Sequence, residues 1–406
     1  MRILFITPYF SPDYAASSPL YQCWAEDLAA AGHHVTVLTG MPYYGRQRIW
    51  KEYEGRFLVK ERTSGYEVIR FFTLLPRRNS VVSRILSAAL FNVEAFFWCL
   101  WRQCDVAFIS NPFFHAGLSL HWLARVRRLP VILSIEDIYP EVAARLGQVK
   151  RPWLLWVMAA LEHSCYRSAQ ALRVLSESQR RKLIEAGVPD EKVTTIPFFA
   201  DTTFVQPLCR DNPFREKFSV PVGSFVVMYA GNMGYTAGLE TVIEAAAAVR
   251  DETNILFLLI GEGTLRAQLQ QMAADLRLSN VRFLPYQPRE DVPWVLAAAD
   301  ISLVALSGTL VDESVPSKTY WLLASGRPIV VVADGKSEVA NLVRESGSGA
   351  VVSSAADLAA TILRLRGAPE DREQMGKRGR DYVVANRSRP VAARQLVSLL
   401  EAVVKH

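Results

Sequence analysis

Two stretches of this chain place ionisable side chains where an apolar run gives way to a helical pattern. In the run 134–141, Glu136, Asp137 and Glu141 put three carboxylates into one short segment behind a strand-like run. Carboxylates there can accept hydrogen bonds from hydroxyls or orient a nucleophile; equally, they can decorate a helix N-terminus. In the run 312–319, Asp312, Glu313, Pro316 and Ser317 lead into a helix with Lys318 in its first turn. A lysine opposes the helix dipole at that end, so its position makes sense if an anion sits among the free N–H groups.

Three further loops carry small residues. The run 230–239 holds Gly231, Asn232, Gly234 and Gly238, where backbone can approach a diphosphate closely. The run 259–266 has Gly261 and Gly263 around Glu262, a G-x-G that lacks the third glycine of a dinucleotide fingerprint. The run 7–19, with Ala15, Ala16, Ser17 and Ser18 before a helix, fits either an anion site or an ordinary strand-to-helix turn.

Such loops need rigid strands behind them, and the apolar pattern supplies these. Strand-like runs fall at 3–7, 35–39, 67–71, 105–110, 131–135, 171–175 and 193–196, with helical segments at 20–31, 83–102, 116–127, 153–167 and 178–185. The pattern restarts at 225–229, 255–260, 281–284, 301–305, 329–332 and 350–352, with helices between the strands and two more near 373–383 and 391–404. This alternation predicts an α/β chain with two doubly wound, Rossmann-like domains facing across a cleft. The Pro- and Asp-dotted stretch 201–222 is the expected linker, giving domains at 1–203 and 204–385 and a last helix at 386–406.

Composition narrows the class. With 406 residues, half of them hydrophobic and 21% charged, the chain is neither disordered nor of low complexity. Five cysteines without a C-x-x-C pair argue against a disulfide framework or a zinc ribbon. The first ten residues read as a buried strand and not a signal peptide, so a reducing cytoplasm is expected. Residues 1–200 hold 24 basic and 17 acidic side chains, and the rest is nearly balanced. That bias suits an anionic membrane surface, a phosphorylated substrate or nucleic acid, or a merely solvated basic face. The aromatic-rich segment 84–101 reads as too short, and too interrupted by Asn92 and Glu94, to span a bilayer. It fits a core helix or one lying in a membrane interface beside Arg77, Arg78, Arg84 and Arg102.

On these residues the chain resembles the nucleotide-sugar-dependent glycosyltransferases of family four, with the B fold of two Rossmann-like domains. The motifs are Gly32 through Gly40, similar to the family's "GHxVTVxT", and Pro197 through Asp201 near the domain junction. They continue with Gly261 to Gly263, Asn280 to Tyr286, and Ala299 with Asp300. The segments around Glu136 and Pro316 resemble the subgroup that builds bacterial surface polysaccharides.

The resemblance implies a second domain that binds the nucleotide sugar through Gly231, Asn232, Gly234, Gly261, Tyr286, Ser317 and Trp321. It implies a first domain that binds the acceptor through Ala16, Ser17, Ser18 and Glu136, with Glu313, Lys318 and Asp137 as catalytic groups. Three positions depart from the family pattern. Asn232 and Ala237 stand where many relatives carry an arginine and a lysine on the diphosphate, and Trp321 stands at the second of two glutamates. A histidine common near the fifth strand is replaced by Glu136 and Asp137.

The expected reaction is anomer-retaining transfer of a hexosyl or acetamidohexosyl unit from a nucleotide sugar, with UDP the expected nucleotide, to a glycan or lipid-diphosphate-linked acceptor. It would proceed without metal or cofactor, since no D-x-D pair is visible. Rival readings are an inactive B-fold binding partner and a sugar-nucleotide epimerase. No nucleic-acid partner is expected, and peripheral contact with the inner face of an anionic cell membrane is.

Overall fold

The structure, a computed structural model, describes residues 1–13, 15, 17–44, 48–63, 65–76, 81–111, 126–138, 151–307 and 315–405. The first half builds one sheet from β1 (Arg2–Ile6), β2 (His34–Gly40), β3 (Leu58–Thr63), β4 (Tyr66–Phe71), β5 (Val106–Asn111), β6 (Val131–Ile135), β7 (Ala171–Val174) and β8 (Val193–Thr195). Their order is β3-β4-β2-β1-β5-β6-β7-β8. The second half builds β9 (Phe225–Ala230), β10 (Ile255–Ile260), β11 (Val281–Leu284), β12 (Ile301–Ala305), β13 (Ile329–Val332) and β14 (Gly349–Val352) in the order β11-β10-β9-β12-β13-β14. All pairs of the second sheet are parallel, and most of its strands are buried on both faces, as their continuous apolar runs require.

In each sheet the strand order reverses at one point, between β1 and β5 and between β9 and β12. Open α/β sheets bind ligands outside the carboxyl ends of the strands at such a reversal. The loops after β1 and β9 are therefore the ones the topology prepares.

One strand escapes the sequence pattern. β3 pairs antiparallel with β4, from Leu58 opposite Phe71 to Thr63 opposite Tyr66. It is an exposed edge carrying Lys60, Glu61 and Arg62, so it lacks the buried run that marks its neighbours. The first sheet is accordingly not purely parallel.

The helices Val81–Leu100 and Pro152–Ser168 cover the same face of the first sheet. Phe91, Ala95 and Cys99 from one, and Cys165 and Tyr166 from the other, join a single core cluster with Leu4, Ile109 and Leu133. At 20 residues the first of these helices is long and apolar enough to cross a membrane, by length and composition alone, which corrects its reading as too short. The predicted helix 116–127 falls mostly outside the described residues.

The chain divides into two compact units, Met1–Pro197 with Ala392–His406, and Phe198–Val391. The stretch 201–222, expected to be a linker, packs into the second unit. Arg210 and Arg215 pair with the buried Asp300 at 2.8 and 2.9 Å. Arg380 donates to the carbonyls of Thr202 and Val205. The polar residues that suggested a linker are turn and cap groups. Asp201 accepts from the N–H groups of Thr203 and Phe204, and Asn212 caps the short helix Pro213–Lys217.

Candidate active site

In the second unit, the loops after β9 and β10 are locked backbone to backbone. The Gly231 N–H donates to the Ile260 carbonyl, and the Met233 N–H to the Glu262 carbonyl, at 2.9 and 2.8 Å. A Cβ on Gly261 would lie 1.9 Å from the Gly231 carbonyl oxygen, so only glycine fits there. The same position would lie 3.4 Å from the Tyr286 ring, which places the loop after β11 beside the other two. Thr236 and Ser307 join the loops after β9 and β12 through a hydrogen bond of 3.0 Å.

Lys318 completes this group. It opens the helix Lys318–Ala324, and its Nζ lies 3.0 Å from where a Gly231 Cβ would be. The ammonium sits 3.7 Å from the centroid of the Tyr229 ring. No carboxylate among the described residues pairs with it, and burial pushes its pKa down to about 7. Tyr229 is held in place by its own hydroxyl, which donates to the Asn232 carbonyl at 2.7 Å. A cation, glycine backbone and the exposed Tyr286 ring thus meet at the carboxyl ends of β9 to β11, an arrangement suited to an anion carrying an aromatic base.

Of the donor-binding residues expected from the sequence, the structure brings Gly231, Asn232, Gly234, Gly261 and Tyr286 together, and Lys318, expected to be catalytic, lies with them. Ser317 immediately precedes Lys318 as the cap residue of its helix. Trp321, one turn after Lys318 on the same helix, packs edge-on against Phe204, 6.1 Å between centroids, on the apolar cluster that also holds Ala230 and Leu306. Ala237 is buried on the core of the second unit. Glu313 lies outside the described residues. Tyr229 was missed, because a tyrosine inside a buried apolar run reads as core.

In the first unit Ser17, one of the expected acceptor residues, meets Glu136. The Tyr21 hydroxyl donates to its Oε1, Ser17 hydrogen-bonds its carboxyl group, and Gln179 donates to its backbone carbonyl at 2.9 Å. Burial pushes the Glu136 carboxyl up to about 7, and Arg173 nearby opposes that rise. Arg173 is itself fully buried, donates to Ser134 at 3.0 Å and stacks over the Trp24 ring. Ser18 is buried, and its hydroxyl has no hydrogen-bond partner among the described residues. Asp137 is exposed and lies near enough to Tyr44 to raise its pKa. Ala16 and Glu141 fall outside the described residues.

Residues 22–198 match the glycosyl transferase 4-like domain, and residues 211–382 match the glycosyl transferases group 1. The chain belongs to the B-fold glycosyltransferases. Among its relatives is a protein of Escherichia coli K12 named as putative colanic acid biosynthesis glycosyl transferase WcaI. That relative is 29% identical over 354 residues, 84% of this chain and 86% of its own length. Sucrose-phosphate synthase of Thermosynechococcus elongatus shares the fold with a TM-score of 0.76 at 18% identity, covering 99% of this chain and 98% of its own. HepE of Anabaena, solved in complex with UDP, has a TM-score of 0.74 at 15% identity over 99% of this glycosyltransferase and all of its own chain.

Proposed function

We propose that this glycosyltransferase moves a hexosyl or acetamidohexosyl unit from a UDP-activated sugar to a glycan or lipid-diphosphate-linked acceptor in bacterial surface-polysaccharide biosynthesis. The observation that carries the donor reading is Lys318, a desolvated ammonium against the backbone of Gly231 with no carboxylate partner among the described residues. A diphosphate is the partner such a group lacks. The UDP held by HepE, and the colanic acid named for WcaI, support the nucleotide and the pathway class.

In this reading the bond from the anomeric carbon to the diphosphate breaks and a bond to an acceptor hydroxyl oxygen forms on the same face of the sugar. The acceptor proton passes to the departing phosphate, and no metal or cofactor takes part. Lys318 and the N–H groups at Gly234 and Ser317 stabilise the charge that develops on the leaving group. Glu313 holds the donor sugar's hydroxyls, and Asp137 orients the acceptor hydroxyl.

Calorimetric titration with UDP and with UDP-sugars tests the reading. Binding by the wild-type chain and its loss in Lys318→Met supports the donor site. A chain that binds no nucleotide is instead the inactive partner, and one that interconverts nucleotide sugars without an acceptor is the epimerase.

A further inference from the structure

Three tyrosine rings gather beyond the carboxyl ends of β1 and β2, beside the point where the strand order of the first sheet reverses. Tyr9 lies in the loop after β1, and Tyr43 and Tyr44 lie in the loop after β2. The Tyr9 ring meets Tyr44 at 4.8 Å and Tyr43 at 6.0 Å between centroids, and the hydroxyls of Tyr9 and Tyr43 are 3.4 Å apart. Tyr43 is buried and Tyr9 half-buried, whereas Tyr44 is 45% exposed. The exposed ring therefore rests against a half-buried one, and that one against a buried one.

Three separate ties fix the backbone that carries these rings. The buried Asp13 accepts from the N–H groups of Tyr43 and Tyr44 with one carboxylate oxygen, at 2.8 and 2.7 Å, which joins the two loops. The Thr7 hydroxyl donates to the Tyr9 carbonyl at 3.0 Å and accepts from Ser110 of β5 at the same distance. Arg70 of β4, buried and paired with Glu61 at 3.0 Å, donates to the Ser11 carbonyl. Burying a carboxylate and a guanidinium is costly, so a loop held in this way points to a side chain that must be presented in one orientation. Tyr44 is the exposed member of the group. Burial, Asp13 and Asp137 all raise its pKa, so its hydroxyl keeps its proton and Asp137 lies close by.

One face of a pyranose presents apolar C–H groups, and its rim presents hydroxyls. An exposed aromatic ring takes the first by dispersion, and a neighbouring carboxylate takes the second. We propose that Tyr44, backed by Tyr9, is the platform on which the sugar ring of the acceptor stacks, which rests on the transferase reading above and narrows its acceptor to one that presents a pyranose. Asp137 then accepts from a hydroxyl on the rim of that sugar. A polyprenyl diphosphate without a sugar lacks the combination of C–H face and hydroxyl rim.

The test is saturation-transfer NMR on the full chain in the presence of UDP. The probes are the methyl pyranosides of glucose, galactose, mannose and N-acetylglucosamine, with farnesyl diphosphate as the isoprenoid control. At least one glycoside should receive saturation, concentrated on the C–H protons of one ring face. Tyr44→Ala should lower the affinity for that glycoside about tenfold, while Tyr44→Phe and Tyr44→Trp keep it, because the ring and not the hydroxyl makes the contact. Circular dichroism and the melting temperature check that the variants fold. Should Tyr44→Ala not fold, Tyr44→Trp decides, through a change in tryptophan emission on adding glycoside that Tyr44→Phe lacks. Saturation of no glycoside, saturation spread over both faces, or wild-type affinity in Tyr44→Ala overturns the proposal. So does saturation of farnesyl diphosphate alone that Tyr44→Ala removes, which would make the platform an isoprenoid site. Calorimetric UDP binding by the same samples separates the two readings: a chain that binds UDP and no glycoside loses the platform only, and one that binds neither loses the donor site as well.

Discussion

The ammonium of Lys318 lies over the face of the Tyr229 ring, 3.7 Å from its centroid, at the edge of the Gly231 loop. A ring face attracts a cation but does not neutralise it. The cations expected of the family at positions 232 and 237 are absent here, and Lys318 supplies positive charge to the loop from a different element. Lys318→Met should therefore weaken UDP binding about 10- to 100-fold, the range of a charge-assisted hydrogen bond of about 1.5–3 kcal/mol. Calorimetry reads the loss, and wild-type affinity in the variant would sink the assignment.

The same lysine predicts a pH dependence. Burial holds its pKa at about 7, so the charged form of the unliganded chain is populated mainly below that pH. UDP affinity should fall as the pH rises above about 7, by at most about tenfold per pH unit, until the pKa of the liganded state is passed. In Lys318→Met the lysine's share of this slope should vanish. The unliganded fold should behave oppositely: the unfolded lysine binds the proton more tightly, so this group makes the fold more stable as the pH rises above about 7.

Two glycines that look alike in the sequence should respond differently to alanine. At Gly261 a Cβ meets the Gly231 carbonyl, a rigid backbone atom, at 1.9 Å. Gly261→Ala should lower stability by about 1–3 kcal/mol, as overpacking does. Both glycines hold a positive φ that strains an alanine, but at Gly231 the nearest atom is the end of the flexible Lys318 side chain, so Gly231→Ala should cost less stability than Gly261→Ala and lose UDP affinity. Thermal melts with and without UDP separate the two.

Glu136 carries a raised pKa of about 7, so its contribution to stability is fully present below the ordinary carboxyl pKa and is lost as the pH rises through about 7. Glu136→Gln should flatten the melting temperature between about pH 4.5 and 7, the interval set by the ordinary and shifted values. It should also slow transfer to an acceptor and leave UDP binding intact. A simultaneous loss of UDP binding would contradict its placement in the acceptor site.

Trp321→Glu should not restore the missing glutamate. Its ring packs on Phe204, so a carboxylate there loses apolar contact and is partly desolvated. A loss of about 1–3 kcal/mol and no gain in UDP affinity are expected, with Trp321→Phe milder. A tighter UDP complex would show that the position still faces the donor.

The parts of this molecule that were legible are those where a local pattern and a buried environment agree. β6, β10, β11, β12 and β13 match their apolar runs residue for residue, and Gly231, Gly261 and Lys318 stand out because each follows a strand or opens a helix. What was not legible depends on contacts distant in sequence. β3 is recognised only through its partner β4, and the stretch 201–222 is tied down by Asp300, nearly a hundred residues away. The Tyr21 hydroxyl reaches Glu136 across 115 positions, and Tyr229 is distinguished from its core neighbours by its hydroxyl bond to the Asn232 carbonyl and by the Lys318 ammonium over its ring.

The path of the chain through its two units sets an order of events during synthesis. The first unit receives residues 1–197 early, but the helix Arg389–Lys405, whose Leu396, Leu399 and Leu400 are buried, reaches it only from Ala392 onward. On a ribosome, the whole of Phe198–Val391 is made before that last apolar stripe emerges. The nascent first unit therefore lacks one of its helices until the end of synthesis, while the second unit, which is one uninterrupted stretch of chain, can close on its own. A fragment ending near residue 197 would carry that deficit permanently, whereas a fragment spanning 198–391 would not.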